Sequence, residues 1–242
     1  MTPKNRAILI SSLLTGAAAA AGTFLVMKAR DTEPRRPLPV GPGGNVIRVV
    51  TPVIYPNVAG AVLSRLERLA ESEPITIVLH TLGGCAVSSV MIAEAVRRFE
   101  HVTAVVPYMA LSGGTIIALA AGRIELGKNA ALSAVDPMLG GVRARHIPDD
   151  PPGLRETANE YEVAIRRHVR ESLELRLGSP EAVDHALDLF MGLSSPHEWP
   201  IRAPALRALG LEVAAADRRW ADYVDATLAS RQTISLHMEE DY

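Results

Sequence analysis

Two nearly unbroken apolar runs, each closed by a pair of glycines, most constrain this chain. The first is "ITIVLHTLGG", from Ile75; the second is "VTAVVPYMALSGG", from Val102. Short β-branched runs without polar alternation are strands covered on both faces. The intervening "AVSSVMIAEAVRRFE" reads as a helix with apolar residues at Val87, Val90, Met91 and Ala95. A covered strand, a glycine turn and a helix of ten or more residues, repeated, predict a parallel α/β core.

The flanking segments extend the pattern. "NVIRVVT" predicts a strand from Asn45, and "VAGAVLSRLERLAES" a helix with Val58, Val62, Leu66 and Leu69 on one face. Ser112 to Gly122 reads as a helix of small residues, followed by a short strand, "RIEL". Beyond Pro152 the character changes to charged helices: "ETANEYEVAIRRHVRESLELRL", "PEAVDHALDLFMGL", a short "APALRALGLEV" running into a strand, and "DRRWADYVDATLASR".

Composition excludes several classes. The net charge of −2 carries no bulk basic signal for nucleic acid. Cys85 is the single cysteine, so no internal disulfide is possible, which suits a reducing compartment. No Cys/His cluster has zinc-ligand spacing, no Gly-x-Gly-x-x-Gly fingerprint follows a strand, and no cofactor is expected. The basic residues are mostly arginine; the lysines are Lys4, Lys28 and Lys128 alone.

The N-terminus suggests a membrane. "AILISSLLTGAAAAAGTFLVM", Ala7 to Met27, is uncharged and close to the roughly 20 residues that cross a bilayer as a helix. A cleaved signal peptide is the other reading, since several Ala-x-Ala patterns are present. The basic residues after the span lean towards a cytoplasmic C-terminal side. The expected organisation is an anchor at 1–28, a Pro/Gly-rich linker at 29–44, and one domain at 45–242. The expected localisation is therefore single-pass membrane, with that domain cytoplasmic.

In a parallel sheet the glycine turns lie at the carboxyl ends of the strands, where such folds bind ligands. Two backbone N–H groups converging there would form an oxyanion hole. Ser112 has two readings. One is an N-cap, whose hydroxyl satisfies a free helical N–H; the other is a nucleophile at a helix N-terminus, where the dipole favours negative charge.

In order and spacing, "IVLHTLGG", "VVPYMALSGGTIIALAAGRIEL" and "NAALSAVDPMLGG" resemble the ClpP/crotonase superfamily. More closely they resemble the serine dehydrogenase proteinase family, related to membrane proteases of the signal peptide peptidase A type. "SSPHEWPI…ALRALGLEV" resembles that family's C-terminal signature, with Glu198 in place of an Asp. The resemblance implies an α/β spiral of stacked ββα units and a homo-oligomer. It places Ser112 on the nucleophile and the amides of Gly113 and Gly84 on the oxyanion hole. The implied reaction is hydrolysis of a peptide or membrane-protein substrate through an acyl-enzyme.

The base is not evident. Where related enzymes place a His, this chain has Val135 and Asp136. Where a lysine is expected on the helix "ANEYEVAIRRH", it has Val163 and then Arg166 and Arg167, and arginine stays protonated. The remaining candidates are His80, Asp136, His197, His146, His168 and Lys128. His80 would orient its turn or move a proton, or be a structural histidine. Asp136 would orient a base or fix its own turn. Cys85 reads as a small buried hydrophobe rather than a rival nucleophile. Two functions therefore stay open, a membrane-anchored serine peptidase and a silent ClpP-like binding or assembly module. Crotonase-like thioester chemistry is a weaker third, for want of a poised carboxylate.

Overall fold

A computed structural model describes residues 44–149, 153–192 and 195–236. In chain order the elements are β1 (Asn45–Val50), α1 (Pro56–Leu66), β2 (Ile75–His80), α2 (Ala86–Arg97), β3 (Val102–Val106), β4 (Met109–Ala110), α3 (Gly113–Ala120), β5 (Arg123–Leu126) and β6 (Ala131–Leu132). There follow β7 (Met138–Leu139), β8 (Val142–Arg143), α4 (Leu154–Glu174), α5 (Pro180–Met191), α6 (Ala203–Ala208), β9 (Val213–Ala215) and α7 (Arg218–Leu236).

The central sheet runs β1-β2-β3-β5-β9 with every pair parallel. This mixed α/β architecture around a parallel sheet fits a ClpP-like fold. Alternation along the strands explains their unbroken apolar character. Ile75, Ile77 and Leu79 of β2 enter the main core with Val62 and Leu66 of α1 and Ile92 and Val96 of α2. Val78, between them, packs on the other face with Trp220, Tyr223 and Val224 of α7. Both faces are covered, so neither needs polar residues.

A second, smaller layer lies beyond the strand ends. β4 pairs with β6 in parallel, and single bridges extend this layer through Thr81 to Ala110 and through Leu132 to Ile201. Another bridge joins Ile54 to Gly84. The glycine turn after β2 is thus laced to the chain on both sides.

Two expectations are corrected. In α2 the buried face is Ser88, Ser89, Ile92, Ala93 and Val96, while Val87 and Met91 are exposed. The cause is close packing: a Cβ on Gly113 of α3 would lie 2.2 Å from Ser89 Oγ, so only small residues fit that side of α2. The single-pass membrane localisation is also overturned. Among the described residues no helix is long and apolar enough to cross a membrane. The two longest, α4 and α7, carry arginines and carboxylates along their length. The expected span, Ala7 to Met27, lies outside the described residues.

His168 of α4 is buried, and its Nδ1 lies 3.3 Å from Arg97 Nη2 of α2. Nδ1 therefore accepts, leaving the proton on Nε2, which is buried without a partner among the described residues. Burial, then the Arg97 charge, push its pKa below the ordinary 6.5, against weaker opposition from Glu94 and Glu171. A histidine lowered on folding contributes stability above 6.5 that is lost as the pH falls through the lowered value. The melting temperature should fall on acidification from about pH 7.5 to about pH 5.5, and His168→Gln should lessen that fall. Thermal unfolding of both proteins across this range checks it.

Candidate active site

Ser112 joins β4 to α3 with φ 49° and ψ −115°, and is the one non-glycine residue with positive φ among the described residues. Such a backbone costs about 1–3 kcal/mol and persists only where its surroundings enforce it. It resembles the sharp strand-to-helix turn that exposes a nucleophilic serine. The capping reading fails here: the Ser112 hydroxyl makes no capping hydrogen bond, and the backbone is not in the extended region that an N-cap adopts.

Three hydroxyls lie beneath this turn. The Ser112 N–H donates to Ser133 Oγ at 2.8 Å, and Ser133 donates in turn to the Ala134 carbonyl at 3.0 Å. The Ser133 N–H donates to Thr115 Oγ1 at 3.0 Å, whose hydroxyl donates to the Ala110 carbonyl at 2.7 Å. Ser89 donates to the Cys85 carbonyl at 3.0 Å, just under Gly113.

The turn after β2 meets Ser112 directly. Gly83 has φ +103°, and a Cβ there would lie 2.6 Å from Ser112 Cβ. Gly84 has φ +147°, with the Ile54 carbonyl 2.5 Å from where a Cβ would be. The Gly83 carbonyl accepts from Ile54 at 2.7 Å and the Cys85 N–H donates to Ile54 at 2.8 Å. The Gly84 N–H between them has no acceptor among the described residues, and neither has the Gly113 N–H. The two glycines adjoin, since a Cβ on Gly113 would stand 3.6 Å from the Gly84 nitrogen.

These groups open on a cavity of about 370 Å³. Ser112, Gly113, Gly84 and Cys85 form one side; Asp136, Pro137, Met138 and Leu139 form another; Tyr161 and Ile165 of α4 face them. Ala86, Ile116 and Val135 make the rest of the wall apolar.

Asp136 is 2% exposed and holds a buried cluster. Its Oδ1 accepts from His197 Nδ1 at 2.9 Å. Its Oδ2 lies 2.9 Å from Arg143 Nε, an ion pair close in distance but without an aligned hydrogen bond. Arg143 also donates to the Ser195 carbonyl at 2.7 Å. His197 arrives because the chain around Ile201 runs antiparallel to Leu132, each N–H bonded to the other's carbonyl at 2.9 and 2.8 Å.

Of the residues singled out in the sequence, Ser112, Gly113, Gly84 and Asp136 line one cavity. His197 is one hydrogen bond behind it. His80 is not on it. Strand alternation turns His80 to the α7 face, where it meets Tyr108 edge-on at 5.7 Å, and burial lowers its pKa against the pull of Asp225. Lys128 is exposed in a turn and His146 at the end of a short 3-10 helix, and His168 packs against Arg97. On α4, Val163 is 67% exposed while Tyr161 and Ile165 face the cavity. Burial raises the Cys85 thiol, but hydrogen bonds from Ser88 and Val87 outweigh it and leave the pKa below 9.0. Sequence reasoning missed Thr115, Ser133, Arg143, Tyr161 and Ile165; a Thr inside the apolar "GGTIIALA" was the one available signal.

Residues 54–150 match the family model of ClpP-like SDH-type serine proteinases. Over these residues the chain is similar to the ClpP-like serine dehydrogenase proteinase family. The match spans both glycine turns, Ser112 and the Val-Asp-Pro of Asp136. Two relatives, both from Methanocaldococcus jannaschii, are similar over much of the chain. Uncharacterized protein MJ1495 is 31% identical over 164 residues, covering 63% of this chain and 56% of that one. Uncharacterized protein MJ0137 is 31% identical over 165 residues, covering 63% and 57%. The chain thus spans little more than half the length of these curated relatives.

Within the matched residues Gly83 is one of several tight points. Gly83→Ala should destabilise the fold by about 1–3 kcal/mol through its positive φ, and more if Ser112 cannot yield. Urea unfolding of the variant beside the parent chain measures it.

Proposed function

We propose that this chain is a serine peptidase in which Ser112 attacks a peptide carbonyl. The observation that carries the reading is the strained turn at Ser112 beside two unbonded N–H groups, Gly113 and Gly84. Strain of this kind clusters where a reacting atom must be presented. Two free donors on adjoining glycines are suited to a tetrahedral oxyanion.

Ser112 Oγ adds to the carbonyl carbon, and the oxygen becomes an anion held by the Gly84 and Gly113 N–H groups. The serine proton passes to the Asp136–His197 pair, with Asp136 on the cavity and His197 supporting its Oδ1. Collapse breaks the C–N bond, and the leaving amine takes the proton. Water then cleaves the Ser112 ester by the same route. The apolar walls at Ile116, Val135, Leu139 and Ile165 suit an apolar side chain beside the scissile bond. In this reading residues 45–242 form one domain, its strands and helices stacked as ββα units in a spiral that assembles with copies of itself.

One observation favours a second reading, a silent peptide-binding or assembly module. Among the described residues, no lysine or histidine lines the cavity with Ser112. Labelling by a fluorophosphonate separates the two, because these probes need an activated serine. The wild-type chain should be labelled and Ser112→Ala should not. Asp136→Asn should slow labelling by about 100-fold or more, the usual scale of a lost acid–base group. A folded wild-type chain that stays unlabelled, yet binds peptide, establishes the module instead.

A further inference from the structure

The hydroxyls beneath Ser112 go beyond what burial requires. Ser133 and Thr115 are both fully buried in apolar surroundings, Ser133 between Leu132 and Ala134 and Thr115 inside α3. Alanine or valine would fill either place without desolvating a hydroxyl. Both side chains instead join one path, its two steps linked through the Ser133 backbone, while Ser133 Oγ itself donates to the Ala134 carbonyl. It runs from the Ser112 N–H to Ser133 Oγ, and from the Ser133 N–H through Thr115 Oγ1 to the Ala110 carbonyl. The path begins at the strained residue and ends on β4, the strand that delivers the chain to it.

The geometry of this path has a consequence for the next peptide. The Ser112 N–H points into the protein, to the buried Ser133 hydroxyl. Fixing it holds the peptide before Ser112, and together with the start of α3 this keeps φ positive; the next N–H, that of Gly113, has no acceptor among the described residues, and Gly113 lines the cavity. If Ser112 relaxed to negative φ, that amide would turn. We propose that Ser133 and Thr115 are positioning residues, a buried hydroxyl relay that holds the Ser112 turn so that the Gly113 N–H stays directed at the reacting oxygen. The proposal rests on the peptidase reading for its catalytic part. Its structural part, the locked Ser112 amide, stands apart from it.

The test uses the full chain with Ser133→Ala, with Thr115→Val, which keeps the shape of the side chain and removes the hydroxyl, and with Thr115→Ser, which keeps the hydroxyl. Fluorophosphonate labelling is resolved into its maximal rate and its half-saturating concentration. Ser133→Ala and Thr115→Val should lower the maximal rate about 10-fold or more while half-saturation moves less than about 2-fold. Thr115→Ser should restore most of the rate. Hydrogen exchange at the Ser112 amide, followed by NMR, should accelerate about 10-fold or more in Ser133→Ala. Should Ser133→Ala not fold, the contrast between Thr115→Val and Thr115→Ser decides. Wild-type labelling rates in folded Ser133→Ala and Thr115→Val overturn the relay. An unlabelled wild-type chain sinks the peptidase reading alone if the Ser112 amide is protected and Ser133→Ala releases it. It sinks both if that amide is unprotected.

Discussion

The structure turns on one close approach, that of the turn after β2 to Ser112. Gly83 sits so near that a single added carbon would overlap the serine's own Cβ. This contact requires β2 and β3 to be adjacent and parallel, so that both turns leave the sheet at the same edge. It requires the small second layer, in which the Thr81 N–H donates to Met109 and the Leu111 N–H donates back to Thr81. It also requires a small residue of α2 at Ser89, where a larger side chain would push Gly113 away. Sheet order, helix packing and loop conformation are thus set by one crowded junction.

The two sides of the cavity are stabilised differently. The serine side is held by neutral hydroxyls and backbone amides, short-range bonds with little net charge. The far side is held by charge, with Asp136 between Arg143 and His197. Buried charges cost desolvation that only close partners offset. This cluster ties three distant pieces of chain together: the turn after β6, the β7–β8 hairpin and the segment before α6. The serine is therefore fixed within its own unit, while the carboxylate depends on a segment some sixty residues later, His197 being 61 positions from Asp136.

The sheet was legible in the sequence because continuous β-branched runs admit few other folds. The glycine turns were legible because their spacing relative to the strands is local. Helix α2 was misread for a physical reason: apolar size is a poor guide where two helices must nearly touch, and Ser88 and Ser89 then displace Val87 and Met91 from the core. His80 looked poised because it enters the turn, yet alternation along β2 already placed it opposite Ile75, Ile77 and Leu79. Ser133 and Thr115 gave no pattern, since a tertiary hydrogen bond leaves no periodic mark. Tyr161 and Ile165 were hidden likewise, because a helix face shows its partner only once the partner is placed.

The wall that α4 presents is one turn of helix, and its two residues are anchored unequally. Ile165 is buried in the core with Val169 and Leu173, whereas Tyr161 stands 39% exposed at the rim. The fold places little demand on position 161, yet its side chain lines the same cavity as Ser112. The shape and polarity of the cavity can therefore be altered through a surface residue, leaving the crowded junction that holds the serine intact.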